Sequence, residues 1–208
     1  ALINCGMGAE HDMSVEESKA FIDQFAQMGG EVFTIDAGWE CPPDKQTDWP
    51  TYNGRNIPDE SRYPDGIKVL RDYAHSKGLK FGLWVDIENV GEKCEINTKH
   101  PEWRSVNIYG ERTSKFLDMS IPEAAQWAET ELTRIIEEYE LDLLRVDHNV
   151  DFTEYFGMRD TDFGIPECVC LKHNEAVYRM YESGTRGALT VLDVPPALLS
   201  PLSAEELR

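Results

Sequence analysis

Positive charge is scarce in this chain, where 20 lysines and arginines stand against 39 aspartates and glutamates, a net charge of −19. A surface of that sign repels phosphate backbones and anionic headgroups, so neither nucleic acid nor a membrane is an expected partner. No apolar run approaches the ~20 residues of a membrane-spanning helix, and the opening Ala1-Leu-Ile-Asn4 lacks the basic start of a secretory signal. Cysteine is sparse and odd in number, at Cys5, Cys41, Cys94, Cys168 and Cys170. That pattern does not suit a disulfide framework, and Cys168-Val-Cys170 lacks the usual spacing of zinc ligands. Reduced structural thiols in a cytoplasmic protein are the expectation, with no metal and no cofactor. Low-complexity segments, linkers and internal repeats are also absent.

What the chain does have is a repeated strand-then-acid pattern. The runs Val32-Phe-Thr-Ile-Asp36, Phe81-Gly-Leu-Trp-Val-Asp86-Ile-Glu88 and Leu143-Leu-Arg-Val-Asp147 each end in, or carry just beyond their apolar core, a carboxylate. Each reads as a buried strand, and helical patterns lie between them. Helices are expected over 15–28, opened by the capping-box spacing Ser14-x-x-Glu17 with Ala20, Phe21, Phe25 and Met28 on the apolar side, and over 64–75, 121–139 and 167–182. Further strands are expected over 1–4, 116–119 and 187–193. Glu137, Glu138 and Asp142 read as a solvated face, and His148 and His173, isolated in the sequence, as satisfied structural histidines. Parallel strands with acids at their C-terminal ends describe the working face of an α/β barrel. At 208 residues the chain is a tight fit for a complete barrel of about 250. The expected fold is therefore α/β, a partial (β/α)8 TIM barrel comprising about its first half. Residues 1–184 form the catalytic part and 185–208 an atypical C-terminal tail. Open sheet edges then imply a missing barrel half or a homo-oligomeric partner.

The segment 37–64 is long and has no sustained periodicity, but it carries Trp39, Trp49 and Tyr52, which argues for an ordered functional loop. A ring of carboxylates with nearby indoles suits acid/base or nucleophilic chemistry on a neutral, polyhydroxylated substrate. Trp49 and Trp84 are candidates to offer apolar faces to a sugar ring, and Trp39 reads as core.

Seven motifs then occur in order. Phe33-Thr-Ile-Asp-Ala-Gly-Trp39 is similar to F-x-x-D-D-G-W, and Asp48-Trp49 to the G-D-W that follows it. Tyr63-Pro-Asp-Gly-Ile67 is similar to F-P-x-G-L. Gly78-Leu-Lys-Phe-Gly-Leu-Trp84 with Asp86-Ile-Glu88 follows G-M-x-F-G-L-W-x-E-P-E. His100-Pro-Glu-Trp103, Leu117-Asp-Met-Ser-Ile-Pro122 and Arg145-Val-Asp-His-Asn149 match H-P-D-W, L-D-L-S-x-P and K-W-D-M-N. The chain thus resembles the melibiase-type α-galactosidases of glycoside hydrolase family thirty-six.

The resemblance implies a retaining glycoside hydrolase acting on an oligosaccharide or other glycoside, α-linked galactosides or a related sugar. Asp147 is the implied nucleophile, forming a covalent glycosyl-enzyme. Asp36 is implied as an acceptor of sugar hydroxyls, and Arg145 stands at a family lysine that donates to ring hydroxyls or, beside Asp147, holds that acid ionised. Asn149 is a further hydroxyl ligand. Asp86 and Glu88 read equally as sugar ligands or as solvated loop acids. Ala37 replaces the second Asp of D-D-G-W, and the later C-x-S-G-G-G-R motif is absent, so no acid/base residue is assigned. Two alternatives are a non-catalytic carbohydrate-binding or scaffold protein built on the same barrel, and a raffinose-synthase-like glycosyl transferase.

Overall fold

A computed structural model describes residues 3, 8, 12–107, 109–147, 166–184 and 189–193. Helix α1, Val15–Gln27, begins where Ser14 accepts the amide N–H of Glu17 at 3.3 Å, as the capping-box spacing requires. It ends on Gly29, whose φ of +82° an L side chain would resist. Its buried stripe is Ser18, Ile22 and Phe25. Half of the expected stripe holds, since Phe25 is buried and Phe21 packs against the core, whereas Ala20 is exposed and Met28 is 75 % exposed. The i, i+4, i+7 series from Ser18 is the buried face of the helix, and the Phe21 ring beside it lies 5.7 Å from that of Phe33 in the first strand.

Strands β1 (Val32–Ile35), β2 (Lys80–Val85), β5 (Leu143–Asp147) and β6 (Leu189–Asp193) form one sheet in the order β1-β2-β5-β6, parallel throughout. Ile3 adds a parallel bridge to Val32 beyond β1. Parallel pairing demands crossovers, and these carry the helices α3 (Lys68–Ser76), α5 (Pro122–Tyr139) and α6 (Pro166–Gly184). Helix α3 starts four residues later than its pattern suggested, because Gly66, at φ +78°, makes a turn after Pro64. In α5, Pro122 occupies the first turn, where no backbone donor is lost, and Ala124, Ala128, Leu132, Ile135, Ile136 and Tyr139 are buried. Beyond its end, Asp142 accepts the amide N–H of Phe81 at 2.9 Å and contacts His75 Nε2 at 2.7 Å. This corrects its reading as part of a solvated face: the side chain fastens the starts of two neighbouring strands.

The second correction is a hairpin. Strands β3 (Arg104–Val106) and β4 (Arg112–Leu117) pair antiparallel as a separate two-stranded ribbon, where only a short strand over 116–119 was expected. The Asn107 carboxamide oxygen accepts the amides of Tyr109 and Glu111, and Gly110 takes φ +81°. This turn chemistry was the overlooked signal.

Segment 37–64 contains a 3-10 turn, Pro43–Asp48, and the short helix α2, Trp49–Tyr52. The Asn56 carbonyl accepts from Arg134 and from the Tyr139 hydroxyl, both on α5, at 2.8 and 3.0 Å. The amides of Gly91 and Lys93 donate to Asn53 and Thr51. The loop is thereby held to α5 and to the segment that follows β2 and leads into the short helix α4, Ile96–Lys99.

Close approach is required at Gly82, the middle of β2. A Cβ there would lie 2.9 Å from the Leu143 carbonyl oxygen and 3.0 Å from Thr34 Cγ2. Gly82→Ala is expected to destabilise the fold by roughly 1–3 kcal/mol through overpacking between both neighbouring strands. An unchanged melting temperature would mean that these strands separate freely.

Candidate active site

Because the sheet is parallel, every strand delivers its C-terminal end to the same edge. Ile35 pairs with Leu83, and Trp84 with Arg145. Asp36, Trp84 and Arg145 therefore stand at one level on adjacent strands. Val85 pairs with Val146, so Asp86 comes one step higher, at the level of Asp147, and Asp147 in turn pairs with Asp193 on β6. The sequence expectation that Asp36, Asp86 and Asp147 gather at one end of a parallel sheet is met by this register. Asp193, given no role from the sequence, occupies the same edge. Asn149 and His148 lie outside the described residues.

Arg145 reaches across the end of β2 to Asp36, its Nη1 donating to Oδ2 at 2.5 Å. The two strands are second neighbours, roughly 10 Å apart, a gap that only a long cationic side chain meeting a short acid can close. The other Asp36 oxygen accepts the amide N–H of Ala37 at 2.7 Å. Both side chains keep some exposure, 17 % for Arg145 and 24 % for Asp36, so the pair faces the open end of the sheet. A fixed guanidinium and carboxylate at this edge present a donor and an acceptor, the combination that a sugar hydroxyl requires.

The indoles separate by depth. Trp39 is fully buried and its Nε1 donates to the Trp84 carbonyl at 2.9 Å, as suits a core residue. Trp84 is also buried, and Trp49, half-buried, stands edge-on to it with centroids 5.3 Å apart and planes at 85°. Trp49 is thus the more accessible of the two residues singled out for a sugar face.

Asp86 and Glu88 are buried rather than solvated. The Asp86 carboxylate accepts the amide N–H groups of Glu88 and Asn89, at 3.2 and 3.1 Å, and the Asn89 carboxamide, closing a turn at the end of β2. Glu88 meets His173, which is buried with both ring nitrogens hydrogen-bonded, as a satisfied structural histidine should be.

One buried acid escaped the sequence reading. Glu40 follows Gly38-Trp39, is 3 % exposed, and accepts the amide N–H of Asn56. Burial pushes its carboxyl up to about 8, against the pull of the Asn56 and Gly54 amides and of Arg55. Nothing local separates it from the other acids of the loop, Asp44, Asp48, Asp59 and Glu60; only the fold buries it. Among the described residues no group of three His, Cys, Asp or Glu side chains is arranged to hold a metal ion, and no helix is long and apolar enough to cross a membrane.

A parallel α/β sheet with acids, an arginine and indoles at its C-terminal edge is the frame of a class of enzymes whose sites are built from strand ends. Known proteins narrow this. The family model for Melibiase matches residues 1–187, and the chain belongs to that family. The alpha-galactosidase Mel36A of Lactobacillus acidophilus is 23% identical over 164 residues, covering 74% of this chain and 21% of that protein. An alpha-galactosidase of Escherichia coli is 28% identical over 145 residues, 64% of this chain and 19% of that protein. Among solved structures, the alpha-galactosidase of Lactobacillus brevis superposes with a TM-score of 0.76 at 26% identity, covering 92% of this chain and 26% of its own. A variant of AgaA from Geobacillus stearothermophilus in complex with stachyose shares the fold, with a TM-score of 0.74 at 21% identity. The chain spans about a fifth of the length of the curated relatives it matches.

Proposed function

We propose that this chain is the nucleophile-bearing part of a retaining glycoside hydrolase that cleaves α-linked galactosides or a closely related sugar. The observation that carries the reading is the common strand-end edge of Asp36, Trp84, Arg145 and Asp147 in a member of the melibiase family. The Asp147 carboxylate attacks the anomeric carbon and the glycosidic C–O bond breaks, giving a covalent glycosyl ester that water then hydrolyses. The leaving oxygen takes its proton from a general acid that is not assigned in this chain. Asp36 and Arg145 hold sugar hydroxyls, with Asn149 as a further ligand, and Trp49 covers the ring's apolar face. The sheet is part of a (β/α)8 barrel completed by strands from beyond these residues or from another subunit. Oligosaccharides such as the stachyose bound by the AgaA variant are the substrate class. The buried free thiols Cys41 and Cys94 support a reducing, cytoplasmic setting.

The test is turnover by the full-length protein on p-nitrophenyl α-D-galactoside and on raffinose-type oligosaccharides. Cleavage with retained anomeric configuration is expected. Binding without cleavage of any α-glycoside would instead favour the carbohydrate-binding reading. Trp49→Ala is expected to raise KM about tenfold with a smaller change in kcat, since stacking contributes on the order of 1–2 kcal/mol to binding; an unaltered KM removes Trp49 from the sugar site.

A further inference from the structure

We infer that His173 is a positioning residue for the strand-end site: through the Glu88 carboxylate it holds the turn after β2, and that turn sets Trp84 and Asp86 in place. The inference rests on the proposed function only in that the positioned edge is the one where sugar binds.

Three chain segments meet at this imidazole. His173 lies in α6 and is wholly buried, Glu88 follows β2 and is 2 % exposed, and Met119 precedes α5. The Met119 amide donates to Nδ1 at 3.0 Å, so that nitrogen bears no proton. The ring hydrogen therefore sits on Nε2, which donates to Glu88 Oε1 at 2.6 Å. Phe116 stacks on the imidazole with centroids 5.5 Å apart and planes at 29°, closing it from water. A ring enclosed in this way, with one nitrogen held by backbone, is unsuited to exchanging a proton with substrate. What it does is fix a carboxylate.

That carboxylate belongs to a stiff turn. Asp86 accepts the Glu88 and Asn89 amides, and the Glu88 carbonyl accepts the Leu117 amide at 2.8 Å. Two residues upstream of Asp86, the Trp84 carbonyl accepts from Trp39. Removing the imidazole N–H takes one strong donor from a buried acid, a loss that burial makes costly and that the turn relieves by shifting. A shift of about 1 Å there displaces Trp84 and Asp86 relative to Arg145, and such a displacement costs catalysis about 100-fold.

The experiment compares Glu88→Gln, Glu88→Ala, His173→Asn and His173→Gln in the full-length protein on p-nitrophenyl α-D-galactoside, at a temperature where circular dichroism shows each variant folded. Glu88→Ala and His173→Asn, which keeps only the Met119 contact, are expected to lower kcat/KM on the order of 100-fold. Glu88→Gln, whose amide oxygen still accepts the ring N–H, is expected to keep at least about ten times the kcat/KM of Glu88→Ala, and His173→Gln, whose amide still donates to Glu88, to exceed His173→Asn. Two results overturn the inference: Glu88→Gln as inactive as Glu88→Ala, which would make the charge a participant at the substrate, or variants that melt earlier with unaltered kcat and KM. Absence of turnover by the unsubstituted protein counts against the functional reading alone. In that case the nitrogen shifts of histidine-labelled protein decide: an unprotonated Nδ1 supports the anchor and a protonated one overturns it.

Discussion

Asp147→Asn in the full-length protein is expected to bind sugar and to turn it over several orders of magnitude more slowly. The amide keeps the size and much of the hydrogen bonding of the acid, but it cannot form a glycosyl ester or offset the positive charge that develops at the anomeric carbon. Loss of a group that acts both covalently and electrostatically is typically worth about 10⁴–10⁶ in kcat. Azide is expected to rescue Asp147→Gly, where the vacated space admits a small anion, and to give a product of inverted configuration. It is expected to leave Asp147→Asn slow, because the amide fills that space. Wild-type turnover by Asp147→Asn on every α-glycoside the protein cleaves would remove the nucleophile assignment.

The second large effect is on stability. Glu40 is buried, and its carboxyl is raised from 4.5 to about 8. Between those two values the folded chain holds a proton that the unfolded chain has released, so this group makes stability fall as pH rises from about 5 to 8, with little further change above. The full span corresponds to on the order of 5 kcal/mol at 1.36 kcal/mol per pH unit. In Glu40→Gln the amide oxygen still accepts the Asn56 N–H, and its NH2 stands where the protonated acid carries its O–H. The variant is therefore expected to match the parent near pH 5 and to be the more stable at pH 8. A stability difference that stays constant across this range, or that turns in favour of the parent at pH 8, would show that Glu40 is folded in as an ion.

The strands and main helices were legible in the sequence because their signals are local. Four apolar runs with short boundaries, the Ser14–Glu17 cap, Pro122 at a first turn and Gly29 at a helix end each fix their element through backbone sterics and nearest neighbours. The misreadings had nonlocal or overlooked causes. Met28 and Ala20 fit an apolar helix side as well as Ser18 does by spacing, and only the packing of α1 against the rest of the core selects the face. The hairpin of β3 and β4 depends on how the Asn107 side chain folds back on its own turn.

Asp36, Asp86 and Asp147 could be named from sequence as strand-end acids, since a residue following a buried parallel strand reaches the C-terminal edge whatever the neighbours are. Their different circumstances could not. Asp36 meets Arg145 from 109 positions away, Asp86 turns inward to bind backbone amides, and Glu88 finds His173 from 85 positions away. Sequence determines which residues arrive at the edge because strand direction and alternation are local properties of the chain. Tertiary structure decides which of them stay open to a ligand and which become fastenings, because burial and pairing depend on segments that folding brings together from far apart.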